Sequence, residues 1–456
     1  MADYAKIFKA YDIRGVVPDE LDEDVAARIG AAFARLTGAA ALVTVHDMRT
    51  SSAPLAEAFG RGAAAQGADV IAGGLGSTDM LYYASGSLGI PGAMITASHN
   101  PAKYNGIKLC RDGARPVGAD TGLAELREMA AAGLPAYDGE PGRRTERDLL
   151  SGYAAHLRTL IDLSRIRPLK VVVDAGNGMA GYTAPKVFEG LPLEIVPLYF
   201  ELDGAFPNHE ANPIDPRNLV DLQRAVTDSG ADAGLAFDGD ADRCFVVDER
   251  GEIVSPSVLT ALIAVRELAR EPGATVIHNL ITSRAVPEII AEHGGTAVRT
   301  RVGHSFIKAE MAAEGAVFGG EHSGHFYFRD FWFADSGMLA ALHALAALGS
   351  QDGPLSALLG QYSRYRASGE INSEVSDPVT TAGQVKEAFS GRSGVTIDEL
   401  DGLTVTSQQW WFNLRPSNTE PLLRLNVEAA DDVTLAEVRD EVLRIVRGRT
   451  ADAASS

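Results

Sequence analysis

The sequence predicts a multidomain α/β protein: three successive α/β blocks and a smaller α+β unit at the C-terminal end. Three observations carry this expectation. The chain has 456 residues, and at roughly 150 residues per domain that exceeds what one compact core organises. Short apolar runs alternate with amphipathic stretches, which is the rhythm of βαβ units. From about Ser368 that rhythm gives way to strand alternation followed by a single helix.

The first block shows a strand-like run, Ala41 to Val45, then a helix over Pro54 to Ala65 and a second apolar run, Asp69 to Ala72. The pattern restarts at Lys170-Val-Val-Val-Asp174, passes a helix from Asn218 to Ser229 and returns to strand at Ala233 to Phe237. It restarts again after Pro256. A helix through Arg270 leads to a strand at Thr275 to His278, a helix from Ser283 to His293 and a strand-like Thr296 to Val302. In the last unit Trp410 to Leu414 and Leu422 to Glu428 read as strands, and Leu435 to Val446 as a helix. The Pro- and Gly-rich segment Gly133 to Gly142, followed by the Arg-rich run Arg143 to Arg147, marks the first boundary. The expected domains are 1–145, 146–252, 253–367 and 368–456, with a small, polar, frayed tail from Thr450 to Ser456.

Hydrophobic residues at 46% and charged residues at 22% are those of a globular protein and exclude bulk disorder, collagen-like repeats and a coiled-coil rod. A net charge of -20 opposes binding to nucleic acid or to an anionic membrane face, so neither is an expected partner. An anionic substrate would need a positive site built locally. The uncharged stretch Met80 to Ala102 holds Pro91, Pro101 and several glycines and would leave its backbone unsatisfied in lipid. Asp3, Lys6, Lys9 and Asp12 stand where a signal peptide needs an unbroken apolar core, so the expected location is the cytoplasm. Cys110 and Cys244 are too few for a disulfide framework or a four-thiolate metal site and are expected to be reduced thiols.

Chemistry concentrates in four loops. In Asp238-Gly-Asp-Ala-Asp-Arg243, three carboxylates at alternate positions repel one another unless a cation sits between them, which points to a divalent ion. Glu249 falls at the twelfth position of a calcium-type loop, but Arg243 occupies the place where that loop needs glycine, and the flanks read as strands. An arginine there suits a phosphate that shares the metal; the alternative is a solvated acidic turn. The second loop, Thr96-Ala-Ser-His-Asn-Pro101, follows the strand-like Gly92 to Ile95 and puts Ser98 at a strand end, where open α/β sheets collect their chemistry. Ser98 and His99 are adjacent and are expected to point in opposite directions, which disfavours a hydrolase pair. Ten residues on, Lys108 offers a cation to move a proton or neutralise phosphate.

The third loop, Gly319-Gly-Glu-His-Ser-Gly-His325, gathers a carboxylate, a hydroxyl and imidazoles suited to sugar hydroxyls. Its two histidines could instead belong to a zinc site, but no third ligand stands at matching spacing. The fourth, Arg415-Pro-Ser-Asn-Thr-Glu-Pro421, offers a guanidinium and hydroxyls to a phosphate, or is a plain β-turn. A fifth pattern, Gly176-Asn-Gly-Met-Ala-Gly181 with Glu201 beyond it, fits a dinucleotide fingerprint. It equally fits a tight strand-to-helix turn, and nothing else speaks for hydride transfer.

Together with Lys9-Ala-Tyr-Asp-Ile-Arg-Gly15 and Gly303-His-Ser-Phe-Ile-Lys308, the four loops resemble, in type and order and over nearly the whole chain, the α-D-phosphohexomutase superfamily. The likeness is to its bacterial phosphomannomutase/phosphoglucomutase branch. The resemblance implies three similar mixed-sheet α/β domains and a smaller α+β domain around a central cleft. It implies a phosphoserine at Ser98 and Mg2+ held by Ser98, Asp238, Asp240 and Asp242, with Arg243 beside the transferring group and Lys108 and His304 as the acid/base pair. Glu321 and Ser323 resemble ligands of the sugar hydroxyls. Arg415, Ser417, Asn418 and Thr419 resemble a clamp for the distal phosphate, and Tyr11 and Arg14 would line the cleft. The implied reaction interconverts hexose 6- and 1-phosphates of mannose or glucose through a hexose 1,6-bisphosphate, which also serves as activator. The partner implied is a small phosphosugar, and the protein would be a monomer or weak homodimer.

One departure stands out: some relatives contact the sugar through a third-domain lysine, but His278-Asn-Leu-Ile-Thr-Ser-Arg284 holds none, and Asn279 or Arg284 are the available substitutes. Phosphoglucosamine mutases are the nearest alternative, and they tend to carry Gly where Ala241 stands and Gln where His322 stands. An alternative of another class is a noncatalytic divalent-ion or sugar-phosphate binding protein.

Overall fold

The structure, a computed structural model, describes residues 3–118, 121–416 and 422–448. Among them, apolar runs form the parallel strands at the centres of three mixed sheets, and each sheet closes with antiparallel strands on one side only. The first orders its strands Ile13–Val16, Tyr104–Cys110, Gly92–Ile95, Ala41–His46, Asp69–Leu75 and Arg144–Glu146. Its last four strands pair parallel and its first two antiparallel. The second runs Ile253–Val254, Cys244–Asp248, Ala233–Phe237, Leu169–Asp174 and Leu193–Leu198, again with parallel pairing at one side and antiparallel at the other. The third runs Thr296–Thr300, Thr275–Asn279, Phe318–Gly320, Phe326–Phe328 and Ala334–Asp335 on the same plan. The fourth sheet, Arg366–Glu374, Leu422–Ala429, Trp410–Pro416, Leu403–Thr406 and Thr396–Asp398, is wholly antiparallel.

Helices cover both faces of the first three sheets, so their central strands are buried throughout: every residue of Ala233–Phe237 is buried. The helix Glu23–Thr37 shows how the sequence sets such an element. Asp22 caps it by accepting from the Val25 N–H at 2.8 Å, Glu23 and Asp24 complement its positive end, and Gly38 at φ 59° stops it in the left-handed region. Buried Ile29 and Phe33 face the core. The helix crosses Ser52–Ala64 at two glycines: a Cβ on Gly30 would lie 2.0 Å from the Phe59 carbonyl oxygen, and one on Gly62 1.9 Å from that of Ala27.

One hydrophobic core is continuous from Val43 and Tyr153 through Val171 and Leu235 to Phe318 and Leu342, so the first three sheets share packing across their boundaries. The fourth sheet packs its own core, around Phe389, Phe412, Leu425 and Val442. One expectation needs correction, and one segment holds an element the sequence did not signal. The helix expected from Asn218 begins instead as a 3-10 turn, Pro216–Leu219, because Pro216 supplies a preset φ and Asp215 caps the turn, and it becomes α-helical at Val220. The arginine-rich run read as a boundary contains an edge strand, Arg144–Glu146, pairing parallel with Val70 to Ala72. Its charged side chains are solvent-exposed, as suits an edge. No helix of the described residues is long and apolar enough to cross a membrane.

Candidate active site

The repeated sheet plan places three of the motif loops equivalently. Ser98 lies in the loop from the parallel strand Gly92–Ile95 to its antiparallel neighbour Tyr104–Cys110; Asp238 to Arg243 join Ala233–Phe237 to Cys244–Asp248; Glu321 to His325 join Phe318–Gly320 to Phe326–Phe328. All three therefore stand at carboxyl ends of parallel strands, where backbone groups leave the ladder and remain available. They meet. The Ser98 hydroxyl donates to Asp238 Oδ2 at 2.7 Å, the Cys244 N–H donates to the Gly324 carbonyl at 3.1 Å, and Arg243 and His325 form an isolated β-bridge. A Cβ on Gly239 would fall 2.5 Å from the Ser98 carbonyl oxygen, so only glycine admits this approach.

Asp238, Asp240 and Asp242 are buried, and one oxygen of each lies within 4.8 Å of the others. Burial, with the charges of Asp242 and Asp240, pushes the Asp238 carboxyl well above its ordinary range. Burial acts on Asp242 in the same direction, but Lys108 and His325 outweigh it and hold that carboxyl well below. Lys108 Nζ donates to Asp240 Oδ2 at 2.7 Å and to Asp242 Oδ2 at 2.5 Å; burial would lower its pKa, yet the two carboxylates keep it raised. Asp240 also accepts from the Thr78 hydroxyl at 2.6 Å, while its Oδ1 is buried and accepts no hydrogen bond among the described residues. Hard, convergent oxygens, with Oδ1 of Asp240 and of Asp242 both lacking a hydrogen bond among the described residues, fit a divalent cation such as Mg2+, and Asp238, Asp240 and Asp242 would hold it.

Arg243 lies beside this cluster, its Nε 3.6 Å from Asp238 Oδ2 and 3.3 Å from His325 Nε2. A cavity of about 80 Å³ touches Tyr11, Arg14, Ser98, Lys108, Arg243 and His325. Arg14 Nε donates to Asp12 at 2.8 Å and its Nη1 donates to Asn100 of the serine loop. Glu321 is buried and accepts from Tyr327 OH at 2.6 Å, from Asn279 Nδ2 at 3.2 Å and from the Gly303 N–H at 3.2 Å, with the Ser323 hydroxyl 3.5 Å away. Of the two substitutes for the lysine, Asn279 thus touches Glu321, whereas Arg284 ties the third unit to the fourth through the Ser407 and Gln408 carbonyls. Arg415 stands on the strand Trp410–Pro416 with Nη2 3.4 Å from Glu370 and a buried Nε that lacks a hydrogen-bond partner among the described residues. Ser417, Asn418 and Thr419 lie outside the described residues, as does the side chain of His304, whose backbone opens the helix His304–Glu314.

Ser98 and His99 do not diverge as an extended pair would. Ser98 takes φ 51°, in the left-handed region, and this brings its hydroxyl 3.3 Å from His99 Nδ1. Burial, reinforced by Arg243 and Arg14, holds the His99 pKa well below its ordinary value. Ala241 takes φ 58°, so a glycine there would answer to the backbone rather than to the sugar. Glu249 turns away from the acidic loop and accepts from the Ser356 N–H at 3.0 Å. The glycines of the dinucleotide-like pattern serve close packing: Cβ atoms on Gly178 and Gly181 would lie 2.7 Å from the Gly239 and 2.3 Å from the Phe200 carbonyl oxygens.

Several residues of this region carried no sequence signal. Arg49 and Thr78 contact the serine and acidic loops from positions distant in sequence, and Arg424, opposite Arg415 in register, shares Glu370 with it. His325, one of the two imidazoles expected to suit sugar hydroxyls, instead faces the acidic loop and Arg243. Its contacts with Arg243, Ser323 and Asp242 are visible only once three loops are brought together.

Comparison with known proteins covers the same ground. Residues 5–133, 151–251 and 256–365 match, in turn, phosphoglucomutase/phosphomannomutase alpha/beta/alpha domains I, II and III, and residues 370–445 match the C-terminal domain of that family. The chain is 41% identical over 445 residues to a phosphomannomutase of Escherichia coli K12, covering 96% of this chain and 97% of that protein. It is 43% identical over 445 residues to a protein of Xanthomonas campestris pv. campestris named phosphohexose mutases, covering 97% and 99%. The crystal structure of a phosphoglucomutase/phosphomannomutase family protein from Burkholderia thailandensis superposes with a TM-score of 0.88 at 33% identity, over 98% of each chain. The class is therefore that of the intramolecular phosphotransferases, the mutases. Within it, the chain belongs to the phosphoglucomutase/phosphomannomutase family.

Proposed function

We propose that the protein interconverts hexose 6-phosphate and hexose 1-phosphate, of mannose and glucose alike, through a phosphorylated Ser98 and a hexose 1,6-bisphosphate. One observation carries this reading: a buried serine hydroxyl bonded to an acidic loop, with Lys108 and Arg243 beside it, at the meeting point of three domains. The names of the relatives support the substrate class.

In the first half-reaction Asp240 and Asp242 hold the Lys108 member of the Lys108/His304 acid/base pair protonated, so the sugar hydroxyl gives its proton to His304 as its oxygen bonds to phosphorus and the Ser98 Oγ–P bond breaks. Ser98 Oγ takes up a proton in turn. The bisphosphate then reverses in the cleft and returns its other phosphoryl group to Ser98, so no phosphate is consumed. Bound at Asp238, Asp240 and Asp242, Mg2+ would supply positive charge to the transferring phosphoryl group. Arg243 adds a cation beside Asp238, and preorganised charge of this kind is the main help such a transfer needs. Glu321 and Ser323 would orient the sugar through its hydroxyls, with Asn279 fixing the Glu321 carboxylate. Arg415, with Ser417, Asn418 and Thr419, would hold whichever phosphate is not reacting, while Tyr11 and Arg14 line the cleft. The partner is a small phosphosugar, and the proposed setting is a cytoplasmic monomer or weak homodimer.

The test is a substrate panel of mannose, glucose and glucosamine 1-phosphates, with Mg2+ and catalytic glucose 1,6-bisphosphate. Glu321 and Ser323 are proposed to read hydroxyls other than the one at which mannose and glucose differ, so the two kcat/KM values should lie within about a hundredfold. Turnover confined to the glucosamine phosphate would contradict the reading. Binding without isomerisation of any of the three would make the protein a noncatalytic phosphosugar binder.

A further inference from the structure

Arg49 is 3% exposed, and its guanidinium is directed at the backbone of a single loop. Nη2 donates to the carbonyls of Ser98 at 2.9 Å and Asn100 at 2.7 Å; Nη1 donates to those of Pro101 at 3.1 Å and Tyr104 at 2.9 Å. Its Nε donates to Asp47 Oδ2 at 3.2 Å, and the other Asp47 oxygen accepts from the Arg49 N–H and from the Ser52 hydroxyl. Arg49 Cζ also lies 5.0 Å from the centre of the Phe206 ring. Nearby, Gly204 approaches so closely that a Cβ there would lie 2.6 Å from Arg49 Cα. Phe206 and Gly204 belong to the second α/β unit, whereas Asp47 and Arg49 follow the strand Ala41–His46 of the first.

The arrangement answers a specific problem. The loop turns four carbonyls toward one point; that of Pro101 also accepts from the Tyr104 N–H at 3.0 Å, and a planar guanidinium reaches all four from one position. Ser98 sits in the left-handed region at φ 51°, uncommon for a residue with a side chain, so its conformation has to be imposed by its surroundings. Its carbonyl is held between Arg49 Nη2 and the bare Cα of Gly239. With the carbonyl fixed on both sides, the Cα–Cβ direction of Ser98 is set, and from there its hydroxyl donates to Asp238 at 2.7 Å.

We infer that Arg49 is the positioning residue of the phosphoryl-carrying serine: its fork sets where Ser98 Oγ stands relative to the acidic loop, and Phe206 ties that setting to the second domain. This rests on the reading that Ser98 carries the phosphoryl group. Arg49 itself touches neither substrate nor the reacting atoms, so its effect falls on the geometry of transfer and leaves the hold on sugar and distal phosphate unchanged.

Two variants test it. Arg49→Lys keeps the charge and loses the fork; Phe206→Leu keeps every polar contact and loses the ring behind it. For each, and for the wild type, one measures the melting temperature, kcat and KM for glucose 1-phosphate, and the occupancy of phosphate on Ser98 by peptide mass spectrometry after treatment with glucose 1,6-bisphosphate. Misplacement of a reacting group by about 1 Å costs up to about a hundredfold. Arg49→Lys should therefore lower kcat between about tenfold and a hundredfold, with KM within about threefold of wild type and Ser98 still labelled. Phe206→Leu should shift kcat in the same direction by a smaller factor. A wild-type kcat in a labelled Arg49→Lys protein would overturn the inference. So would a rise in KM matching the fall in kcat, which marks general disruption. If Arg49→Lys fails to fold, Phe206→Leu decides, and an unchanged kcat there overturns it. A wild-type enzyme labelled elsewhere than Ser98 would instead remove the underlying assignment, and Arg49's role with it.

Discussion

Asp79 accepts hydrogen bonds from the hydroxyls of Ser77, Tyr153 and Ser336 while fully buried, and so ties the first α/β unit to residues far along the chain. Burial pushes its carboxyl up from 3.8 to about 6; the three hydroxyls act against that shift and the charge of Asp242 adds to it. Below about pH 4 the group is neutral in both folded and unfolded chains. Above that the folded protein holds its proton longer, so stability due to Asp79 is lost as pH rises through about 6, amounting to about 3 kcal/mol by pH 7. Asp79→Asn never ionises. Its stability relative to wild type should rise between about pH 4 and pH 6 and then level off, as thermal unfolding over that range would show; a constant difference would mean that Asp79 is already ionised in the acid range. Residues of this kind explain what the sequence hid. Asp238, Asp240 and Asp242 lie in one segment and announce themselves by spacing. Asp79 lies 257 residues from Ser336 and Thr78 lies 162 from Asp240, so no local pattern links them.

At the scale of elements, the crossing of Glu23–Thr37 with Ser52–Ala64 depends on two glycines that let backbones touch. A methyl on Gly62 would meet the Ala27 carbonyl oxygen at 1.9 Å, and backbone cannot swing aside as a flexible side chain can. Gly62→Ala should therefore destabilise the protein by about 1 to 3 kcal/mol, the usual cost of overpacking, measured by denaturant unfolding. An unchanged midpoint would mean that the helices separate freely. The buried central strands were legible because burial on both faces leaves a continuous apolar run, as in Val171 to Val173. Arg144–Glu146 was not, since an exposed edge strand needs no apolar residue and its composition is that of a linker. The left-handed turn at Ser98 was equally hidden: nothing in Ala-Ser-His signals a positive φ that the Arg49 contacts and the bare Cα of Gly239 impose from outside the segment.

For the whole molecule, the first three units share a core while the fourth keeps its own and joins the third through polar contacts such as those of Arg284. Arg415 stands on the fourth with a guanidinium only loosely engaged by Glu370. Removing it by Arg415→Ala should cost on the order of 2 to 4 kcal/mol in kcat/KM for mannose and glucose phosphates alike. On the proposed reading, in which Arg415 holds the distal phosphate and helps to draw the cleft shut, more bisphosphate should escape into solution. Steady-state kinetics with measured bisphosphate release would show this; wild-type values in both would reduce that loop to a turn. The central claim, however, is that one serine carries the phosphoryl group between two sugar oxygens. Its most direct test is peptide mass spectrometry of the protein after treatment with glucose 1,6-bisphosphate, beside a Ser98→Ala control. Phosphate on Ser98, with activity lost in the control, is the predicted result; phosphate only on another residue, or full activity in Ser98→Ala, would contradict it.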